Sequence, residues 1–396
     1  MHYRMSIPQT LAAVVLALLL TACGSAPGAT QAPTVPPAPA APTQAVAPDA
    51  ATAAPVAPTQ AVAPDAATVA PAAPTQAVAP DAATVAPAAP PAGMPAGGPP
   101  PGGGPGGPGG FGAGTSFTAT AAFADVAYAA ASETQKLDIY LPAGDGPFPV
   151  VVNYHAGGFK FGDKGMIPGA LGQALLDAGY AVVGVNYRLS GEAPFPAAVL
   201  DARAAVRFLR ANAATYQLDP ERIAAFGQSA GGNIAAMVGT TAESTSFDDA
   251  SLGNAEVSSA VQAVVNWFGP TDFGQMDAQA AAQGCAASDQ THSEATSFES
   301  AYLGAPVATA PELVAQANPI TYIDGSEPPF LIQKGDQDCT VAVESTAMLA
   351  DALQAAGLTV EYDLLVGVGH GDTGSTPVFE GEQNIQRVLT FLSTHL

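Results

Sequence analysis

Positive charge is scarce in this chain. Its 396 residues hold 11 Lys and Arg against 34 Asp and Glu, a formal net charge of −23. A surface of that sign repels polyanions, which argues against nucleic acid as a partner and leaves no electrostatic pull toward an anionic membrane. The charged residues before Gly114 are Arg4, Asp49, Asp65 and Asp81, so nearly all of the acidity belongs to the part that follows. Cysteine is scarce too. With Cys23, Cys285 and Cys339 alone, no disulfide-rich framework can be built. Long apolar runs are also missing: the longest at the N-terminus, Leu11 to Leu20, is about half of what a bilayer requires. Between Gly24 and Gly114 bulky side chains are nearly absent, so that stretch cannot bury a core.

What is present at the N-terminus reads as targeting and tether. Arg4 followed by the short apolar run has the form of a signal-peptide core, giving a leader of residues 1–22. Leu20-Thr21-Ala22-Cys23 resembles the bacterial lipobox, which implies cleavage before Cys23 and acylation of that residue; an ordinary secretory signal with an incidental cysteine is the alternative. Residues 23–114 then form a low-complexity Pro/Ala/Gly-rich linker. The segment APTQAVAPDAAT begins at Ala41, Ala57 and Ala73, a 16-residue repeat of Val, Ala and Pro without the large apolar residues of a solenoid. Gly97 to Gly104 (GGPPPGGG) continues it. The composition predicts an extended, disordered stalk. The expected location is the extracellular face of a cell envelope, with the membrane reached through the lipid anchor only.

Residues 115–396 have the length and patterning of one large domain. Apolar β-branched runs at Phe148–Tyr154 and Tyr180–Tyr187 read as buried strands, Ile223–Phe226, Val261–Phe268, Phe330–Gln333 and Val360–Leu365 as further strands, and Lys136–Leu141 as an alternating one. Between them, Ile167–Ala178, Ala197–Ala214, Ala230–Thr240, Val341–Ala356 and Glu380–Leu392 have helical spacing. Strands that alternate with helices predict an α/β fold with a mostly parallel sheet covered by helices on both faces. A polar insertion, residues 271–325, interrupts the alternation.

Gly227-Gln228-Ser229-Ala230-Gly231 is a G-x-S-x-G placed after an expected strand and before an expected helix, the context in which the motif presents a nucleophile. A sharp strand-to-helix turn strains the serine backbone and lifts its hydroxyl off the sheet; flanking glycines avoid a Cβ clash there. A serine hydroxyl needs a base. The domain offers His155, His292, His370 and His395. His395 is next to the C-terminus and His292 sits in the insertion. His370, in Val368-Gly369-His370-Gly371 after the last strand, is the expected base.

From about Leu137 onward the chain resembles the bacterial α/β-hydrolase esterases of the feruloyl-esterase-like and carboxylesterase group, related to the hormone-sensitive-lipase-like esterases. Leu137-Asp138-Ile139-Tyr140-Leu141-Pro142 and the stretch from Asn186 through the Ser229 motif carry the likeness. His155-Ala156-Gly157-Gly158-Phe159 resembles that group's H-G-G-G-F loop, with Ala156 departing at the first glycine. The resemblance implies an oxyanion hole from the N–H groups of Gly157, Gly158 and Ala230, with a structural role for His155. Lys334-Gly335-Asp336-Gln337-Asp338-Cys339-Thr340-Val341 resembles H-G-x-x-D-x-x-V, with Lys334 in place of histidine. This match selects Asp338 over Asp336 as the acid.

Export makes an oxidised Cys285–Cys339 pair reasonable, with two buried thiols as the alternative. Such a bridge would pin the insertion, which in this fold covers the site, to the acid loop. Phe159, Phe161, Trp267 and Phe268 are candidates for an acyl or alcohol pocket, or simply for core. The implied activity is serine carboxylic-ester hydrolysis of small acyl or carbohydrate-linked (acetyl or feruloyl) esters, with no cofactor and no metal. The substrate would be a small molecule or a polysaccharide-linked ester. A peptidase on the same fold, or a non-catalytic binding module on a stalk, are the rival readings.

Overall fold

The computed structural model describes residues 116–371 and 377–396. The expected leader, the Cys23 anchor and the repeat-bearing linker lie outside the described residues. Eight strands form one sheet: β1 (Phe123–Ala127), β2 (Lys136–Tyr140), β3 (Phe148–Tyr154), β4 (Ala181–Val185), β5 (Leu218–Gln228), β6 (Ala263–Trp267), β7 (Phe330–Gly335) and β8 (Val360–Leu365). Their order is β1-β2-β4-β3-β5-β6-β7-β8. The β1–β2 and β2–β4 pairs are antiparallel; every pair from β4 onward is parallel. β3, β4, β6 and β7 are buried on both sides, which is why they read as apolar runs rather than alternating ones, whereas the edge strand β8 (VEYDLL) is half-exposed.

Successive side chains of a strand leave by opposite faces. In β3, Val150, Val152 and Tyr154 enter a core with Val199, Val206 and Leu209 of α2 (Ala197–Ala211), Ile234 of α3 (Ala230–Thr240) and Leu349 of a helix spanning Val343–Ala355. Val151 enters a second core on the other face, with Leu171 and Leu175 of α1 (Gly169–Asp177) and Val388 and Phe391 of the closing helix Glu382–His395. Helices therefore lie on both faces, as the alternation of elements predicts.

Two features exceed the sequence expectation. The edge strand β1 was not anticipated, because FADVA is only half-buried and lacks a strong period. β5 begins five residues earlier than the apolar run Ile223–Phe226, since Leu218 pairs with Phe148 across an irregularity in the register. The insertion holds three short helices: α4 (Met276–Gln283), α5 (Phe298–Leu303) and α6 (Pro311–Gln316), which makes Val343–Ala355 α7 and Glu382–His395 α8. Phe273 and Tyr302 of the insertion are buried in the first core.

Because β3, β5, β6, β7 and β8 run parallel, their C-terminal ends face one edge of the sheet. The loops carrying His155 to Phe159, Ser229, Phe268, Asp338 and His370 all leave the sheet at that edge.

Candidate active site

Ser229 occupies the turn between β5 and α3 with φ 52° and ψ −121°, a positive φ that non-glycine residues seldom adopt. Its N–H donates to the carbonyl of Trp267 at 2.9 Å, and its own carbonyl accepts from Gly232 at 2.8 Å. The flanking glycines are required by close approach. A Cβ on Gly227 would stand 2.0 Å from the Gly231 carbonyl oxygen, and one on Gly231 would stand 1.9 Å from that of Tyr154. Both distances are impossible for a side chain, so the serine turn is held against β3.

Three predicted residues come together in one hydrogen-bonded chain. His370 Nε2 lies 2.9 Å from Ser229 Oγ, and His370 Nδ1 lies 2.8 Å from Asp338 Oδ2. A carboxylate only accepts, so the proton of the imidazole belongs on Nδ1, leaving the Nε2 lone pair for the serine hydroxyl. Asp338 is fully buried. Its Oδ1 accepts from the N–H groups of Thr340 and Val341, both at 2.9 Å, and its Oδ2 also accepts from Lys334 Nζ. Burial would raise the Asp338 carboxyl, but His370 and Lys334 outweigh it and hold it well below the usual carboxylate range.

Asp336, the other candidate acid, is occupied elsewhere: its Oδ1 accepts from the Gly367 N–H at 2.6 Å. That contact, with the Gln337 N–H on the Val368 carbonyl at 2.8 Å, ties the loop after β7 to the histidine loop after β8. A Cβ on Gly335 would meet the Val368 carbonyl oxygen at 2.3 Å, so glycine there permits the two loops to touch.

His155 is kept out of this chain. It is buried, its ring stacks on Tyr187 at 4.3 Å, and its Nδ1 lies 2.8 Å from the Ala156 carbonyl. Burial pushes its pKa down despite that carbonyl. Gly157 and Gly158 follow at φ 126° and 59°. The Gly157 carbonyl accepts from Lys160 and Phe161, which curls the loop and turns its backbone. His292 stays inside the insertion, with Nδ1 3.0 Å from Glu299 Oε1. His395 lies 4.0 Å from Glu361.

Cys285 and Cys339 form a disulfide with their Cα atoms 5.6 Å apart. It joins the insertion to the residue next to Asp338. Gln283, at the end of α4, makes the same connection by hydrogen bonds: its Nε2 donates to the Asp338 carbonyl at 2.8 Å, and its Oε1 accepts from the Val343 N–H at 2.7 Å.

The four aromatic candidates divide. Trp267 is fully buried and donates Nε1–H to Gln333 Oε1 at 2.7 Å, and Phe159 stacks on Tyr302 at 3.8 Å; both are core, because strand ends here face inward as well as toward the site. Phe268 packs on the His370 ring at 4.8 Å. Phe161 is 50% exposed and meets Phe298 of α5 edge-on at 6.1 Å. Sequence reasoning missed Phe298, whose ring lies close to Gly158: a Cβ on that glycine would come 2.8 Å from it. It missed Gln283 as well. Neither carries a motif, since both act through the path of the insertion.

A strained serine at a strand-to-helix turn, served by a histidine and a carboxylate from later strand ends, belongs to an α/β-hydrolase. The chain is a member of the BD-FAE family, whose model matches residues 137–353. It is 28% identical over 230 residues to Esterase LipC of Mycobacterium tuberculosis, covering 57% of this chain and 53% of that protein. With Esterase LipQ of the same organism the identity is 26% over 255 residues, covering 63% and 57%. The chain thus spans about half the length of the curated relatives that it matches. Among solved structures, a truncated form of a carbohydrate esterase from gut microbiota is 29% identical with a TM-score of 0.62, covering 71% of this chain and 99% of that one. A bifunctional GH43-CE protein of Bacteroides eggerthii is 34% identical with a TM-score of 0.59, covering 69% and 38%.

Proposed function

We propose that the chain is a serine carboxylic-ester hydrolase acting on acyl esters borne by carbohydrate, with Ser229 as nucleophile, His370 as general base and acid, and Asp338 as the orienting carboxylate. The observation that carries this reading is the chain of contacts at 2.9 and 2.8 Å from Ser229 through His370 to Asp338. His370 Nε2 takes the hydroxyl proton as Ser229 Oγ attacks the ester carbonyl carbon. Asp338 stabilises the imidazolium without taking its proton. Collapse of the tetrahedral intermediate breaks the carbonyl carbon–oxygen bond to the alcohol, which leaves with the proton from Nε2. Water, deprotonated by the same nitrogen, then attacks the acyl-enzyme and frees the acid and the serine. The N–H groups of Gly157, Gly158 and Ala230 are assigned to the oxyanion, each worth about 3 kcal/mol in the transition state.

The carbohydrate-linked part of the reading is supported by the likeness to a carbohydrate esterase over nearly all of that protein's solved chain. Location at the outer face of the envelope, through an acylated Cys23 and the linker 23–114, is part of the same proposal; the Cys285–Cys339 bridge suits an oxidising compartment. The test is labelling by a fluorophosphonate probe beside Ser229→Ala, followed by turnover of acetyl-xylan, feruloyl-sugar esters and p-nitrophenyl acetate. Labelling abolished by the substitution, with turnover of the carbohydrate esters, is expected. Turnover of p-nitrophenyl acetate alone would remove the carbohydrate assignment, and absence of labelling would remove the esterase.

A further inference from the structure

Lys334 is the last-but-one residue of β7, and it is completely buried. Its ammonium contacts Asp338 Oδ2 and the carbonyl of Val341. The same Oδ2 is the atom on which His370 Nδ1 is held. Lysine and histidine therefore compete for one carboxylate oxygen, while Oδ1 is filled by two backbone N–H groups.

We propose that Lys334 is a positioning residue which fixes Asp338 Oδ2 toward His370 and, by its own charge, opposes protonation of that histidine, so that the base stays free to act in more acidic media. This rests on the triad reading above. When His370 is protonated, an imidazolium and an ammonium share one oxygen, and like charges this close in a buried site disfavour the second charge. Among the described residues, the ion pair with Asp338 is the one that Lys334 makes. Among the described residues, β8 places Leu364 beside Lys334 in the sheet register, the end of β6 leads into Phe268, and α4 reaches the acid loop through the neutral Gln283. Among the described residues, His370 is faced by Asp338, Ser229 and the Phe268 ring. Burial lowers the Lys334 pKa and Asp338 opposes that fall. Complete burial also keeps Lys334 from touching any substrate, so its effect belongs on kcat and on the pH profile rather than on KM.

The experiment compares wild type with Lys334→Met, which keeps the volume and removes the charge, and with Lys334→His, which keeps an N–H donor without a fixed charge. His370 is titrated directly by NMR of protein labelled in its imidazole nitrogens, assigned with His370→Gln, and kcat/KM is measured over the same pH range. In Lys334→Met the His370 midpoint and the acid limb of kcat/KM both move to higher pH by about one unit, the lower end of the effect of a close charge. Lys334→His moves both in the same direction while retaining more of kcat than Lys334→Met. If Lys334→Met proves unfolded by circular dichroism, the shift in Lys334→His decides alone. Midpoints that superimpose on wild type in every folded variant overturn the proposal, whatever happens to kcat. A shifted midpoint in a protein that neither hydrolyses esters nor takes the fluorophosphonate leaves the Lys334 assignment standing and overturns the esterase.

Discussion

The rings of Phe268 and His370 meet edge-to-face with centroids 4.8 Å apart, and Phe268 reaches that position from a backbone at φ 44°. A side-chain-bearing residue at positive φ costs on the order of 1–3 kcal/mol and persists where its surroundings hold it. Here the Phe268 N–H donates to the Gln333 carbonyl at 2.8 Å, and the ring also packs on Phe379 at 4.7 Å. The strained residue thus forms a wall against the imidazole. Phe268→Ala removes that wall. We expect kcat to fall about fivefold, in line with an aromatic pair contact of roughly 1 kcal/mol. KM for a small acetyl ester stays within a few-fold, as steady-state kinetics would show.

Asp338→Asn is expected to lower kcat by about 10⁴-fold, as loss of the orienting carboxylate does in serine hydrolases. It also strands the buried Lys334 charge, which costs about 3–5 kcal/mol of stability when one partner of a buried pair is removed. The double variant Lys334→Met with Asp338→Asn recovers most of that stability and none of the activity. Urea denaturation of the four proteins measures the coupling. The sign with pH follows from the depressed folded-state pKa of Asp338. Its contribution is present above the unfolded value near 4 and is lost as pH falls below it. Wild type therefore loses stability in acid more steeply than Asp338→Asn.

The sheet, and two of the three side chains that meet at Ser229, are legible in the sequence because each depends on local pattern. Buried parallel strands are continuous apolar runs, and the Ser229 turn needs glycines at Gly227 and Gly231 to avoid carbonyl oxygens about 2 Å away. His370 followed from the scarcity of histidine and its place after the last strand. Asp338 needed the family likeness, since Asp336 stands two residues away and the contacts that separate them, His370, Lys334 and the N–H groups of Thr340 and Val341 on Asp338 against Gly367 on Asp336, exist only in the folded chain. What escaped depends on long-range packing. Phe298 reaches Gly158, and Gln283 reaches Asp338, across more than 50 residues of chain in each case. The aromatic strand-end residues were ambiguous for the same reason, since nothing local separates Trp267, in the core, from Phe268, on the histidine.

The Cys285–Cys339 bridge closes a loop with a sequence separation of 54. On the chain-entropy account this constrains the unfolded chain by up to about 4 kcal/mol. Replacing both cysteines by serine is expected to lower the unfolding midpoint in urea. Because Gln283 still binds the Asp338 carbonyl, activity below the melting range falls less than stability does. Loss of all activity in a folded double variant would show instead that the covalent link itself positions the acid loop.

His292 gives the insertion its own pH response. Burial would lower its pKa, but the hydrogen bond to Glu299 outweighs that and raises it. A base with a raised folded-state pKa adds stability that is complete below its unfolded value near 6.5 and is lost as pH rises through the folded value. The contact spans the loop between α4 and α5, which Asp277 also fastens through the N–H groups of His292 and Ser293, at 2.7 and 3.0 Å. Hydrogen exchange in residues 291–298, corrected for the intrinsic rate, should therefore increase as pH rises above the folded-state value. Glu299→Gln should exchange faster than wild type at pH 6 and show little further rise. Since Phe298 of α5 packs on Gly158, the same loosening should raise KM on the alkaline side before kcat changes, and Glu299→Gln should show the raised KM at every pH.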